Sequence, residues 1–173
     1  MFLKILNGVI QRLAFTPHKT RYFYYSYGNP SYKIEPGMKF FSGDGTMVYG
    51  EGQFTVEGQS YCGSRCGFQL SKGHSISIGK RTAISHNVRI YTGNRNPLDI
   101  ITAENRVEGV YGDVNIGSDC WVGANVFINQ GVTIGDNVVI GANSVVSKDI
   151  PSNSIAVGAP IKVIKTHNMI CEQ

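Results

Sequence analysis

From Ile116 onward a large aliphatic residue returns every six positions, with Val122, Ile128, Ile134, Ile140 and Val146 following without a gap. Four residues after each stands a small or apolar one: Cys120, Val126, Val132, Val138, Ser144 and Ile150. Directly after each comes Gly117, Gly123, Asn129, Gly135, Gly141 or Ser147. A six-residue period of this kind marks a parallel β-helix built from hexapeptides. Strand alternation turns the first and fifth positions inward, and the tight corners between them call for Gly, Asn or Asp. The same frame recurs at Ile78, Ile84 and Ile90, with Thr82 and Val88 inward, and at Val56, Cys62 and Phe68, with Ser60 and Cys66 inward. Twelve hexads grouped as three, three and six make about four coils of a triangular prism. The interruptions, at 71–74 and at about 93–113, each follow a coil's third hexad, so both leave from one corner. Lys72 and Asn94 break the small-inward rule where these excursions begin.

An open prism needs caps at its ends. Phe2, Leu6, Val9 and Leu13 fall at helical spacing, and an aromatic run from Arg21 to Tyr27 follows. The expected organisation is therefore an all-β chain in three parts. Residues 1–47 form a helical and aromatic cap, 48–165 the β-helix with its loop at 93–113, and 166–173 a tail. Pro151 to Ser154 and Gly158 to Pro160 read as turns, and Ile161 to Ile164 as a short closing strand.

Composition narrows the function classes. At 173 residues, 42% hydrophobic and 16% charged, the chain is one domain with a sizeable core, neither disordered nor a helical bundle. The net charge of +4 comes without a basic run, so no nucleic-acid partner is expected, while an anionic ligand such as a phosphorylated cofactor is suited. No apolar stretch reaches the roughly 18 residues of a membrane span. Lys4, Gln11 and Arg12 interrupt the N-terminal apolar stretch, so it is not a signal peptide. A cytoplasmic protein is expected, with the N-terminal helix offering a peripheral membrane contact. Cys62, Cys66, Cys120 and Cys171 lack the recurring C-x2-C pairs of a zinc ribbon, so no metal is expected; the first three fall on inward positions as core packing.

The segment GDVNIGSDCWVGANVFINQGVTIGDNVVIGANSVVSKDIPSNSIAVGAPIKVIK, 112 to 165, carries D-x-W-[IV]-G, G-V-x-I-G and V-x-K-D-I-P…G-x-P blocks. Together these resemble the hexapeptide-repeat acyltransferases, in particular the maltose, galactoside and polysaccharide O-acetyltransferase branch, over about 48–165. The resemblance implies a left-handed helix, a homotrimer with active sites between subunits, and acetyl-CoA as donor. It places the pantetheine arm along Trp121, Gly123, Ala124, Gly141 and Ala142, with Lys148, Lys162 and Lys165 toward the nucleotide phosphates. The implied activity is O-acetylation of a sugar hydroxyl, of a surface polysaccharide or its precursor. The alternatives are N-acetylation of a nucleotide-linked amino sugar and a non-catalytic trimeric scaffold.

Such a transfer needs a base for the acceptor's proton, a task suited to histidine near neutral pH. The family's histidine lies five residues after the third hexad origin of the coil before the large loop. Here that stretch reads Ile90-Tyr-Thr-Gly-Asn-Arg-Asn-Pro97, and Arg95 stands in its place. Arginine stays protonated and cannot be the base. His86, on the coil that carries Arg95, is the expected replacement, with His74 behind it. Arg95, Asn94 and Asn96 would then hold the acceptor, and Asp99 and Glu104 are carboxylate alternatives. The histidines at 74, 86 and 167 do not have the spacing of a β-helix carbonic anhydrase zinc site.

Overall fold

The computed structural model of the protein describes residues 31–34, 39–102 and 108–167. The expected N-terminal helix, the aromatic run, His18, Glu104 and Cys171 lie outside the described residues.

The hexads wind into a left-handed parallel β-helix with three faces. On the first face lie β1 (Tyr32–Ile34), β3 (Gln53–Val56), β6 (Ser75–Ile78), β11 (Val114–Ile116) and β14 (Thr133–Ile134). The second stacks β4 (Tyr61–Cys62), β7 (Ala83–Ile84), β12 (Trp121–Val122), β15 (Val139–Ile140) and β17 (Ser154–Val157), and ends in antiparallel β18 (Lys162–Thr166). The third holds β2 (Met47–Gly50), β5 (Gly67–Leu70), β8 (Arg89–Tyr91), β13 (Phe127–Ile128) and β16 (Val145–Val146). First, second and third corners follow the faces of those names along the chain.

The inward rows are those the period names. Ile84, Ile90, Val122, Ile128 and Val146 are fully buried, as are Thr82, Val88, Val138 and Ser144 at fifth positions. Buried hydroxyls are paired between coils: Ser60 Oγ donates to the Gly79 carbonyl at 2.6 Å, and Thr82 Oγ1 to that of Gly117 at 2.8 Å. Cys62, Cys66 and Cys120 are buried free thiols, as their inward positions predict. Burial raises the Cys62 and Cys120 thiols above their ordinary value.

The coil count is five rather than four. The additional coil pairs Ile34 with Val56, Phe41 with Cys62 and Val48 with Phe68, so the solenoid takes in residues read from sequence as cap. Its three anchors are seven residues apart instead of six, which hides them from a hexad search. Aromatic rings fill this end of the prism, with Phe40, Phe54 and Phe68 mutually 5.0 to 5.9 Å apart.

Two corners are built on the residue three past each hexad origin. Asn87, Asn125, Asn137, Asn143 and Asp119 there take φ between 55° and 59°, the left-handed region that Asn and Asp tolerate best among side-chain-bearing residues. Their side chains stack coil on coil. Asn87 Nδ2 donates to Asn125 Oδ1 at 2.9 Å, and Asn125 Nδ2 to Asn143 Oδ1 at 3.0 Å. At the first corner Arg81 pairs with Asp119 through two 2.6 Å bonds, holding that carboxyl below its ordinary value.

Both excursions leave at the third corner, as expected. The longer one carries a hairpin of β9 (Gly93–Arg95) and β10 (Gly109–Tyr111), with the short helix α1 (Pro97–Ile101) within it. Among the described residues no helix is long and apolar enough to cross a membrane.

Candidate active site

Outward-facing rows differ sharply between faces. Register aligns Lys33, Thr55, Ser77, Asn115 and Thr133 on the first face, a polar row. On the second it aligns Tyr61, Ala83, Trp121, Val139 and Ile155, with no polar member except the tips of Tyr61 and Trp121. The third carries Met47, Gly67, Arg89, Phe127 and Val145. Trp121 is 57% exposed, and its indole N–H donates to Ser85 Oγ at 3.3 Å.

The second corner, between the second and third faces, gathers most of the donor residues expected from sequence. Gly63, Ser85, Gly123 and Gly141 stand one residue past the second-face hexad origins, and Ser64, His86, Ala124 and Ala142 two past. Two of these glycines are required by stacking itself. A Cβ on Gly123 would stand 2.6 Å from the Ala142 nitrogen, and one on Gly141 2.7 Å from Val157 Cγ1. Lys165 is paired with Ile155 and so ends the row of Trp121; Lys162 is paired with Val157 beside Gly141. Both lysines are exposed, without an ion pair to any described residue. Lys148 is not part of this group: it follows β16 at the third corner.

His86 and Arg95 are not brought together within one chain. His86 projects at the second corner and Arg95 sits on the hairpin of the third, with β8 between them. The His86 ring lies over the preceding coil, where Nδ1 accepts the Ser64 backbone N–H at 2.9 Å. A backbone N–H can only donate, so the neutral ring carries its proton on Nε2 and its lone pair is already engaged.

The third corner holds a cleft of about 460 Å³ between the hairpin and the third face. The hairpin contributes Gly93, Asn94, Arg95 and Tyr111, together with Glu108. From the face come Gln69, Ser71 and Tyr91. Asn94 Nδ2 donates to Gln130 Oε1 at 2.8 Å, anchoring the hairpin to the next coil. Gln69 Nε2 donates to Ser71 Oγ at 3.2 Å, while its Oε1 is buried without a partner. Tyr91 meets Phe127 edge-on at 5.0 Å and hydrogen-bonds Tyr49; burial and then that bond push the Tyr49 phenol up to about 12. Asn96, expected to contact the acceptor, instead caps α1 by accepting the Leu98 N–H at 3.1 Å. Both Asp99 oxygens are used inside the loop, by Asn96 Nδ2 and the Glu108 N–H, each at 2.8 Å.

Sequence reasoning missed the partner of His74. Its Nδ1 lies 3.3 Å from Asp113 Oδ1, and its ring stacks on Tyr111 at 5.8 Å, 13° from parallel. The signal was available in the frame. The register aligns Ile76 with Val114, so Asp113, directly before Val114, comes opposite Ser75, the residue next to His74.

Residues 113–148 match the family model described as bacterial transferase hexapeptide (six repeats). A maltose O-acetyltransferase from Clostridium difficile 630 is 36% identical, with 75% of this chain and 68% of that one covered and a TM-score of 0.56. The chain belongs to the hexapeptide-repeat acyltransferases. Two further members share the fold. A Vibrio cholerae O1 biovar eltor acetyltransferase solved with acetyl coenzyme A is 28% identical over 74% of this chain and 71% of that one, at a TM-score of 0.60. A galactoside acetyltransferase in complex with coenzyme A is 30% identical over 74% and 66%, at 0.59. Comparison with curated protein sequences finds no match.

Proposed function

We propose that this acyltransferase moves the acetyl group of acetyl-CoA to a sugar hydroxyl of a surface polysaccharide or its precursor, acting as a homotrimer. The observation that carries this reading is the small-residue column at the second corner, flanked by exposed Trp121 and ended by Lys162 and Lys165. Three strand spacings separate Trp121 from Lys165, about 14 Å, a span suited to an extended pantetheine arm with phosphates at its far end. The residues fit the donor: nothing larger than methyl projects at Ala124 and Ala142, and both lysine ammonium groups lack a partner among the described residues.

The outward row of the second face, Tyr61, Ala83, Trp121, Val139 and Ile155, supports self-association. It borders the second corner, so a second copy packed on this face turns the corner into a walled groove. The polar first face remains for solvent. The third-corner cleft is suited to the acceptor: exposed Tyr111 offers an aromatic face, while Arg95, Glu108 and Ser71 offer hydrogen bonds for hydroxyls. Likeness to a maltose and a galactoside acetyltransferase supports a sugar there.

Titration with acetyl-CoA in a calorimeter tests the donor groove. Saturable binding is expected, and Ala124→Tyr, which places a ring in the column while leaving the buried rows intact, is expected to abolish it. Absence of binding by the wild-type chain at millimolar donor would refute the reading and leave a β-helix scaffold.

A further inference from the structure

The hairpin position of Arg95 cannot supply a base, and the His86 lone pair is held by Ser64. The third corner contains a histidine with neither problem. We propose that His74, oriented by Asp113, is the proton acceptor of the transfer reaction, beside the third-corner cleft whose wall residue Tyr111 it stacks on. This rests on the transferase reading above.

The geometry assigns each ring nitrogen a role. Asp113 Oδ1 faces Nδ1 at 3.3 Å and is itself positioned by the Ser75 N–H at 2.8 Å. The 3.3 Å contact is an ion-pair distance rather than a hydrogen bond, and a carboxylate oxygen, which only accepts, favours the neutral tautomer with its proton on Nδ1 and its lone pair on Nε2. Nε2 has no hydrogen bond or ion pair with any described residue. The backbone of His74 is clamped between coils: its N–H donates to the Ser71 carbonyl at 3.0 Å, and its carbonyl accepts the Gln53 N–H at 2.9 Å. Stacking on Tyr111 fixes the ring plane against the hairpin that walls the cleft. The side chain is 32% exposed, open enough to meet a substrate. His86 thus has the opposite tautomer from the one a base at this site requires.

In the reaction, with the donor held at the second corner of a neighbouring copy, the acceptor hydroxyl oxygen attacks the thioester carbonyl carbon while Nε2 takes the hydroxyl proton. The new C–O bond forms, the tetrahedral oxyanion collapses, and the C–S bond breaks. The departing coenzyme A thiolate takes the proton from Nε2, leaving the acetyl ester, free coenzyme A and a neutral His74. Asp113 takes no proton in this sequence and acts as a positioning residue.

Thiol release from acetyl-CoA is measured with maltose, methyl β-galactoside and water as acceptors, for the full-length wild type and three variants. His74→Asn is expected to lose about 100-fold or more in kcat at unchanged KM for acetyl-CoA, and His86→Asn less than about tenfold. Asp113→Asn is expected to lower kcat and to move the neutral His74 proton toward Nε2 in long-range 1H–15N spectra, which also read the wild-type tautomer. A His74→Asn enzyme keeping a third or more of its kcat overturns the proposal. So does a wild-type His74 with its proton on Nε2, or a larger loss in His86→Asn. A wild type that binds acetyl-CoA but releases no thiol with any of the three refutes the transfer reading itself, and the base assignment falls with it.

Discussion

At the second corner every coil after the first keeps its six-residue step, and at the third corner most coils break it. The first arrangement puts like beside like: Asn87, Asn125 and Asn143 form a ladder, Gly123 lies against Ala142, and the His86 ring lies on Ser64. Polar atoms there are consumed by the neighbouring coil. At the third corner the excursions bring unlike residues together, His74 beside Asp113, and Arg95 and Glu108 on the walls of a cleft. Regular stacking spends side chains on holding coils in register, and departures from it free side chains for chemistry.

Glycine substitutions should show the largest contrast. Gly123→Val drives a branched side chain into backbone atoms 2.6 to 2.9 Å from the Cβ position, and a loss of about 3 kcal/mol is expected from denaturant unfolding. Gly73, beside His74, has φ +83° but nothing within 4 Å of a Cβ. Gly73→Ala should cost only the left-handed backbone penalty, about 1 kcal/mol. Equal losses at the two sites would break the comparison.

A smaller effect separates the two histidines. His86→Ala removes the acceptor of the Ser64 N–H, and about 1 kcal/mol of stability is expected to go with it. Water reaches that exposed corner, which keeps the cost near this value. His74→Ala should leave the unfolding midpoint closer to wild type than His86→Ala does; the reverse order would mean that the third corner is the structural one.

The smallest effect is on alkaline stability near the cleft. The Tyr49 phenol, raised from 10.0 to about 12, favours the neutral form in the folded chain. Its contribution is complete below the unfolded value and is lost as pH rises through about 12. Ultraviolet titration of phenolate should therefore show a late component that is absent in Tyr49→Phe, with stability falling in the same window. Removing the Tyr91 hydroxyl with Tyr91→Phe should bring that titration earlier, since the bond between the two rings is one of its causes.

Much of this was legible before any coordinates. The inward rows, the three thiols in the core, the shared corner of both excursions and the column of Gly123, Ala124, Gly141 and Ala142 follow from a six-residue step, because a coil of fixed length repeats its environment. The first coil was not legible, since Ile34, Phe41 and Val48 step by seven. Nor was the commitment of His86, which depends on a nitrogen 22 residues earlier, or of Asn96, which depends on α1 forming inside the loop.

What the chain's order of residues determined alone was the prism and its corners, because a constant six-residue spacing returns the first and fifth positions to the inside of every coil. What only the tertiary structure decided was which polar side chains meet at the third corner. Ser75 and Asp113 are 38 residues apart and become neighbours when the chain re-enters the prism after its excursion. The backbone pairing of β6 with β11 sets that meeting, and it brings the Asp113 carboxylate to His74 Nδ1.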